Sequence, residues 1–134
     1  ASNDSIFSLS EVKVGLVPAT IGPYVIRAIG ERNARRFFTS GERFGAEVAE
    51  NINLVHEVIE ESELEEKVEF YENLFRKNGP KAVLAAKKIV ADIANKEIDS
   101  SVTNHTCKVI SELRMSDEGK EGVSAFLEKR DPNW

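Results

Sequence analysis

Glu11 is the side chain of this sequence best placed to move protons. It follows the alternating run Ser5-Ile6-Phe7-Ser8-Leu9 and Ser10, with apolar Leu9, Val12, Val14 and Leu16 on either side. A carboxyl desolvated by such neighbours is suited to taking and giving a proton near neutral pH, whereas one at an open strand end is a solvated or capping group. Residue types alone leave both readings standing. The remaining reactive side chains form no constellation. His56 and His105 are far apart, with no Cys, His or Asp at metal-ligand spacing around them, and read as structural or surface histidines. Cys107 reads as a small packed residue of a helix rather than a nucleophile. Ser5, Ser8 and Ser10 lie outside any G-x-S-x-G elbow, and the chain contains neither G-x-G-x-x-G nor a phosphate loop. Arg32, Arg35 and Arg36 make a basic helix face whose simplest role is solvation and surface pairing.

The elements that must position Glu11 are legible from periodicity and punctuation. Ser5–Leu9 reads as a short strand ending at Ser10-Glu11. Gly15, Pro18, Gly22 and Pro23 mark a loop, and Pro23 suits the first turn of a helix through Val25, Ile26 and Ile29 that stops at Gly30. A second helix runs from Glu31 to Ser40 and closes at Gly41, and Ala46–Asn51 is a short helical turn. "LVHEVI" (54–59) is the other strand candidate. Helices are expected over Glu61–Lys77, Pro80–Ala94, Ser100–Arg114 and Asp117–Lys129. Asn78-Gly79-Pro80 forms one boundary and Ser116 is an N-cap ahead of Asp117-Glu118. Core stripes are expected at Leu64, Val68, Tyr71, Leu74 and Phe75, at Val83, Ala86, Val90 and Ile93, and at Val123, Phe126 and Leu127. Two isolated strands do not make a sheet, so either a strand assignment fails or the partner strands belong to another polypeptide.

Composition sets the class. The chain has 134 residues, about one domain, with 41% hydrophobic and 31% charged content, as in a water-soluble globular protein. No apolar run approaches a membrane span, and no signal peptide is expected at the amino end. The single cysteine points to a reducing compartment. Residues 57–72 hold eight glutamates and one lysine, so the net charge of −5 is carried by that block. It reads as the solvated face of an amphipathic helix. Without a basic stripe, nucleic acid is not an expected partner.

The stretch "FSLSEVKVGLVPATIGP" (7–23) resembles the F-x-x-x-E-x-x-x-G-x-x-P segment of the crotonase, or enoyl-CoA hydratase/isomerase, superfamily. "RAIGERNARRFFTSGERFGAEVAENINLVHEVI" (27–59) resembles the next segment of that family, and "EGVSAFLEKRDPNW" (121–134) resembles its carboxyl end. The wording "GLVPATIGPYVIRAIGERNARRFF" is closest to the methylglutaconyl-CoA and carboxygeranoyl-CoA hydratase branch. The resemblance implies an α/β crotonase (ββα spiral) fold, present incompletely as a carboxyl-terminal half. This chain would be mostly α-helical with about two short strands. Residues 1–59 would form the last part of the spiral core with the catalytic glutamate, and residues 60–134 a helical trimerisation and CoA-covering region.

The same resemblance implies a hydratase, with Glu11 as the second of two acid/base carboxylates. The acyl pocket would be shaped by Leu16, Pro18, Ile21 and Tyr24, Phe126 would lie beside the acyl or pantetheine chain, and Lys129 near a CoA phosphate. Each apolar member reads equally as plain core or helix packing. No separate cofactor is implied, since coenzyme A belongs to the substrate. The implied partners are an acyl-CoA thioester, a complementary amino-terminal half with the oxyanion hole and first glutamate, and copies of the chain in a homotrimer or hexamer. Nucleic acid and membrane are not implied partners. The location would be the cytoplasm, or the mitochondrial matrix in a eukaryote. Isomerase, hydrolase or decarboxylase activity on the same scaffold, or a helical interaction domain without chemistry, are the competing readings. Two positions depart from the family pattern. Asn53 stands in "NINLV" where relatives carry glycine, and asparagine tolerates the same left-handed backbone. Pro18-Ala19-Thr20-Ile21-Gly22 replaces a Pro-Gly-x-Gly-Gly loop, a change expected to narrow or reshape the pocket.

Overall fold

A computed structural model describes residues 1–134. The chain divides into two units, Ala1–Val68 and Glu69–Trp134. It is mostly helical with two short strands, and no helix is long and apolar enough to cross a membrane.

In the first unit the alternating amino-terminal run forms β1 (Ile6–Ser8), antiparallel to β2 (Arg43–Gly45), with Phe7 opposite Phe44. The Phe7 and Phe44 rings stack with centroids 5.8 Å apart, and Phe37 tilts onto Phe44 at 4.1 Å, a favourable aromatic geometry. The expectation that the strands lack partners within the chain is therefore corrected. Arg43-Phe44-Gly45 is too short to show alternation, and the intervening helix returns it beside β1.

That helix, α1 (Gly22–Ser40), carries Pro23 in its first turn and breaks at Gly30, whose φ of 75° and ψ of 162° lie outside helical space. Only glycine adopts such a backbone without strain. The Asn33 side-chain amide donates to the Ile29 carbonyl at 2.8 Å, occupying an acceptor beside the break. The two helices read from the sequence are thus the two halves of α1. Val25, Ile29, Ala34 and Phe37 turn inward from it and meet Phe44 and Ala49 in one buried cluster. Ala49 belongs to α2 (Ala46–Asn51), where Ala46 and Ala49 are both buried.

The expected strand at Leu54–Ile59 does not form. The Leu54 and Val55 amides donate back to the Ala49 carbonyl at 2.8 and 3.3 Å, around Asn53 in left-handed backbone at φ 63°. Their side chains pack on the core cluster. Donors spent on closing a helix are lost to a ladder, and only Ile59 bridges, parallel to Ser2. The acidic block begins as a 3-10 turn (Glu61–Glu63), with a capping box between Glu60 and Glu63, and continues as α3 (Leu64–Arg76). Negative charge there suits the helix dipole.

The second unit contains α4 (Pro80–Ile93), α5 (Ser100–Met115) and α6 (Asp117–Glu128). Asp99 caps α5 by accepting from the Val102 amide at 2.9 Å, and Ser116 caps α6 by accepting from the Gly119 amide at 3.0 Å. The Glu118 carboxylate reaches the start of α4 and accepts from the Lys81 and Ala82 amides at 3.0 and 2.8 Å. The expected core stripes are largely uncovered in this chain. Leu64, Val68, Tyr71, Leu74 and Phe75 are exposed, as are Val90, Val123, Phe126 and Leu127, and Ala125 is the one buried apolar side chain of the second unit.

Candidate active site

Glu11 opens a 3-10 turn (Glu11–Val14) shortly after β1. The turn is locked by its own backbone: the Lys13 amide donates to the Ser10 carbonyl at 2.9 Å, Gly15 to Val12 at 3.2 Å and Leu16 to Glu11 at 3.0 Å. The Glu11 side chain is half-buried. Its Oε2 is shielded from solvent and has no hydrogen-bond partner, the one such side-chain polar atom in the molecule. Buried polar atoms are nearly always paired, because stranding one costs on the order of 1–3 kcal/mol. The Glu11 carboxyl thus presents an oxygen without a partner, able to accept a hydrogen bond or, when protonated, to donate one.

The loop after the turn is held by the Gly22 amide donating to the Pro18 carbonyl at 2.8 Å and by the Tyr24 and Val25 amides donating to the Ile21 carbonyl at 3.0 and 3.1 Å. Pro18 is buried. Leu16, Ile21 and Tyr24 are exposed, as are Val14 and Val17. The structure therefore brings Leu16 to Glu11 through a backbone hydrogen bond and sets Pro18 into the packing beneath the loop, while the other apolar side chains stand clear of the core. Gly41, which the sequence marks only as a helix stop, also lies against Val12 and Lys13 of the Glu11 turn. The local signal for it is a glycine between a helix and the strand that pairs with β1.

Phe126 and Lys129 belong to the second unit. Phe126 is 82% exposed on α6, and Lys129 ends that helix in left-handed backbone at φ 54°. Beyond it, Arg130 holds Glu121 at 2.6 and 3.0 Å and Glu128 at 2.7 Å, and the Asn133 amide donates to Glu121 at 2.8 Å. The Arg130 guanidinium, helped by the Asn133 amide, draws the Glu121 carboxyl down from its ordinary 4.5 to about 2.

The other candidates are accounted for locally. His105 Nε2 lies 3.1 Å from Asp92 and His56 is exposed. Arg35 pairs with Glu31, and Arg36 with Glu42 at 2.8 Å. Cys107 is exposed, against the packed position expected, because α5 turns that face outward. No group of three or more His, Cys, Asp or Glu side chains could hold a metal ion. A cavity of about 230 Å³ in the second unit is lined by Gly79, Ala82, Leu113, Gly122 and Trp134. The carboxylate on it, Glu118, is already committed to the amides of α4.

The enoyl-CoA hydratase/isomerase family model matches the whole chain, residues 1–134. The chain belongs to that family. It is 45% identical to a crystal structure from Legionella pneumophila assigned to the enoyl CoA hydratase/isomerase (crotonase) group, with a TM-score of 0.92 over 100% of this chain and 52% of that one. An enoyl-CoA hydratase from Shewanella pealeana is 37% identical, with a TM-score of 0.93 over 100% of this chain and 50% of the other. Among curated proteins, the 2,3-dehydroadipyl-CoA hydratase of Escherichia coli is 27% identical over 136 residues, 100% of this chain and 52% of that protein. The chain thus has the architecture of about half a crotonase-fold subunit, and it spans about half the length of the curated relatives it matches.

Proposed function

We propose that the chain is the carboxyl-terminal half of an enoyl-CoA hydratase-like lyase, which adds water across the α,β double bond of an acyl-CoA thioester. The observation that carries this reading is the buried, unpartnered Oε2 of Glu11 on a turn that its own backbone holds still. In hydration a water oxygen bonds to the β-carbon and the π electrons move toward the thioester carbonyl. The α-carbon then takes a proton. Glu11 supplies that proton and is recharged from the attacking water by way of the opposing carboxylate and solvent.

That second carboxylate, and the amides that steady the enolate oxygen, would come from a complementary amino-terminal half of the same enzyme. The working form would be a homotrimer or hexamer, in the cytoplasm or, in a eukaryote, the mitochondrial matrix. Leu16, Ile21 and Tyr24 are free to line the acyl chain, with Pro18 shaping the loop beneath them, and the extra bulk of Ala19-Thr20-Ile21 favours a short or branched acyl group such as 3-methylglutaconyl. Phe126 and Lys129 would meet the pantetheine arm and a CoA phosphate, where an exposed lysine acts as a compact point charge.

Glu11→Gln tests the reading. It keeps size and hydrogen bonding but has no proton to deliver, so kcat on a 2-enoyl-CoA should fall about 10²–10⁴-fold with KM and Tm near their original values. Full turnover by Glu11→Gln would sink the proposal.

A further inference from the structure

Gly41 ends α1 in left-handed backbone, at φ 57°, with its amide donating to the Phe37 carbonyl at 3.1 Å. Its carbonyl accepts from Ser8 Oγ at 3.3 Å. A methyl group on its Cα would stand 3.1 Å from Val12 Cγ2, 3.2 Å from Lys13 Cε and 3.5 Å from the Leu9 carbonyl. All three neighbours flank Glu11. Gly41 is thus the surface on which the Glu11 turn rests, and it is bare on the side facing the turn.

Nothing in the chain tethers Glu11 Oε2 by a hydrogen bond, so the aim of the carboxyl depends on where the backbone of its turn lies. Lys13 could swing its flexible end away from added bulk. Val12 is β-branched and stiff at χ1, so it gives way chiefly by carrying the turn with it. We propose that Gly41 is a positioning residue for Glu11: its missing side chain lets the 3-10 turn seat against the end of α1 and sets the carboxyl's position to within a few tenths of an ångström. The inference rests on the reading of Glu11 as proton donor.

In the intact enzyme, Gly41→Ala should lower kcat roughly tenfold, because small displacements of a reacting group are costly, with KM changed by no more than about twofold. Exchange of the Leu16 amide, which bonds the Glu11 carbonyl at 3.0 Å, should quicken as the turn lifts. Adding Val12→Ala removes the methyl that meets the new one. It should restore most of the lost kcat, scored against Val12→Ala by itself, and leave the drop in Tm from left-handed alanine in place. If Gly41→Ala does not fold, Gly41→Asn carries the same Cβ on a residue that accepts left-handed backbone, with the same result expected. Unchanged turnover and unchanged Leu16 exchange, with Glu11→Gln inactive, would overturn the positioning role and leave the reading of Glu11 intact. So would a loss of kcat that Val12→Ala fails to relieve. An active Glu11→Gln would remove the reading and the positioning role together.

Discussion

Phe37 is 1% exposed and Phe126 is 82% exposed, although both lie on helices whose apolar residues recur at three- and four-residue spacing. In the first unit the returning chain supplies a lid for that spacing. β1, β2 and α2 close over α1, and the rings of Phe7, Phe44 and Phe37 meet. In the second unit Glu118 of α6 reaches the start of α4 and Asp92 of α4 meets His105 of α5, while Val83, Ile89, Val109 and Leu113 are only half-buried. Amphipathic spacing therefore reports that a helix has a face to bury; it does not say against what. The first unit has a core of its own, whereas in the second Phe126, Leu127 and other large apolar side chains stay open.

The sharpest test sets the two phenylalanines against each other. Phe37→Ala should cost about 3–5 kcal/mol, the range for emptying an aromatic site in a packed core, and Phe126→Ala within about 0.5 kcal/mol, as for an exposed position. Urea unfolding of both variants measures this, and equal losses would mean that the two helices are buried alike in solution.

A smaller effect is expected at the polar link between α6 and the start of α4. Glu118→Ala leaves two amides of α4 without their acceptor and should cost about 1 kcal/mol, as for loss of a helix cap, with faster exchange at the Lys81 and Ala82 amides. Unchanged exchange there would show that the link contributes nothing in water.

The smallest effect belongs to the carboxyl-terminal clamp. A carboxyl held below its unfolded value adds stability that is complete above the unfolded value and is lost as pH falls through the folded one. For Glu121 that window runs from 4.5 down to about 2. Trp134, whose ring lies against Gly122, should keep its emission unchanged to about pH 3 and alter near pH 2. In Glu121→Gln this low-pH step should be absent, and high salt should weaken it in the original chain.

Local signals carried much of the architecture. Gly30 broke α1 where the pattern stopped, Ser116 capped α6, Gly79-Pro80 opened α4, and Asn53 adopted the left-handed backbone that glycine would otherwise supply. Each depends on a residue and its nearest neighbours along the chain, so each can be read without a fold. β2 could not be read in this way, because Arg43-Phe44-Gly45 is a strand only in the presence of β1. The apolar run at Leu54–Ile59 misled for the complementary reason. Its backbone donors were claimed by the end of α2 and its side chains by the core.

By itself the sequence determined the helices, their caps and breaks, and a glutamate at the end of an alternating run, because backbone conformation and capping are settled within a few residues. The tertiary structure decided which of the apolar faces are covered, that Glu11 Oε2 is buried without a partner, and that Gly41 lies under its turn. These are contacts between segments separated by a whole helix. Whether two such segments meet depends on packing free energy summed over the fold, and no local pattern contains that sum.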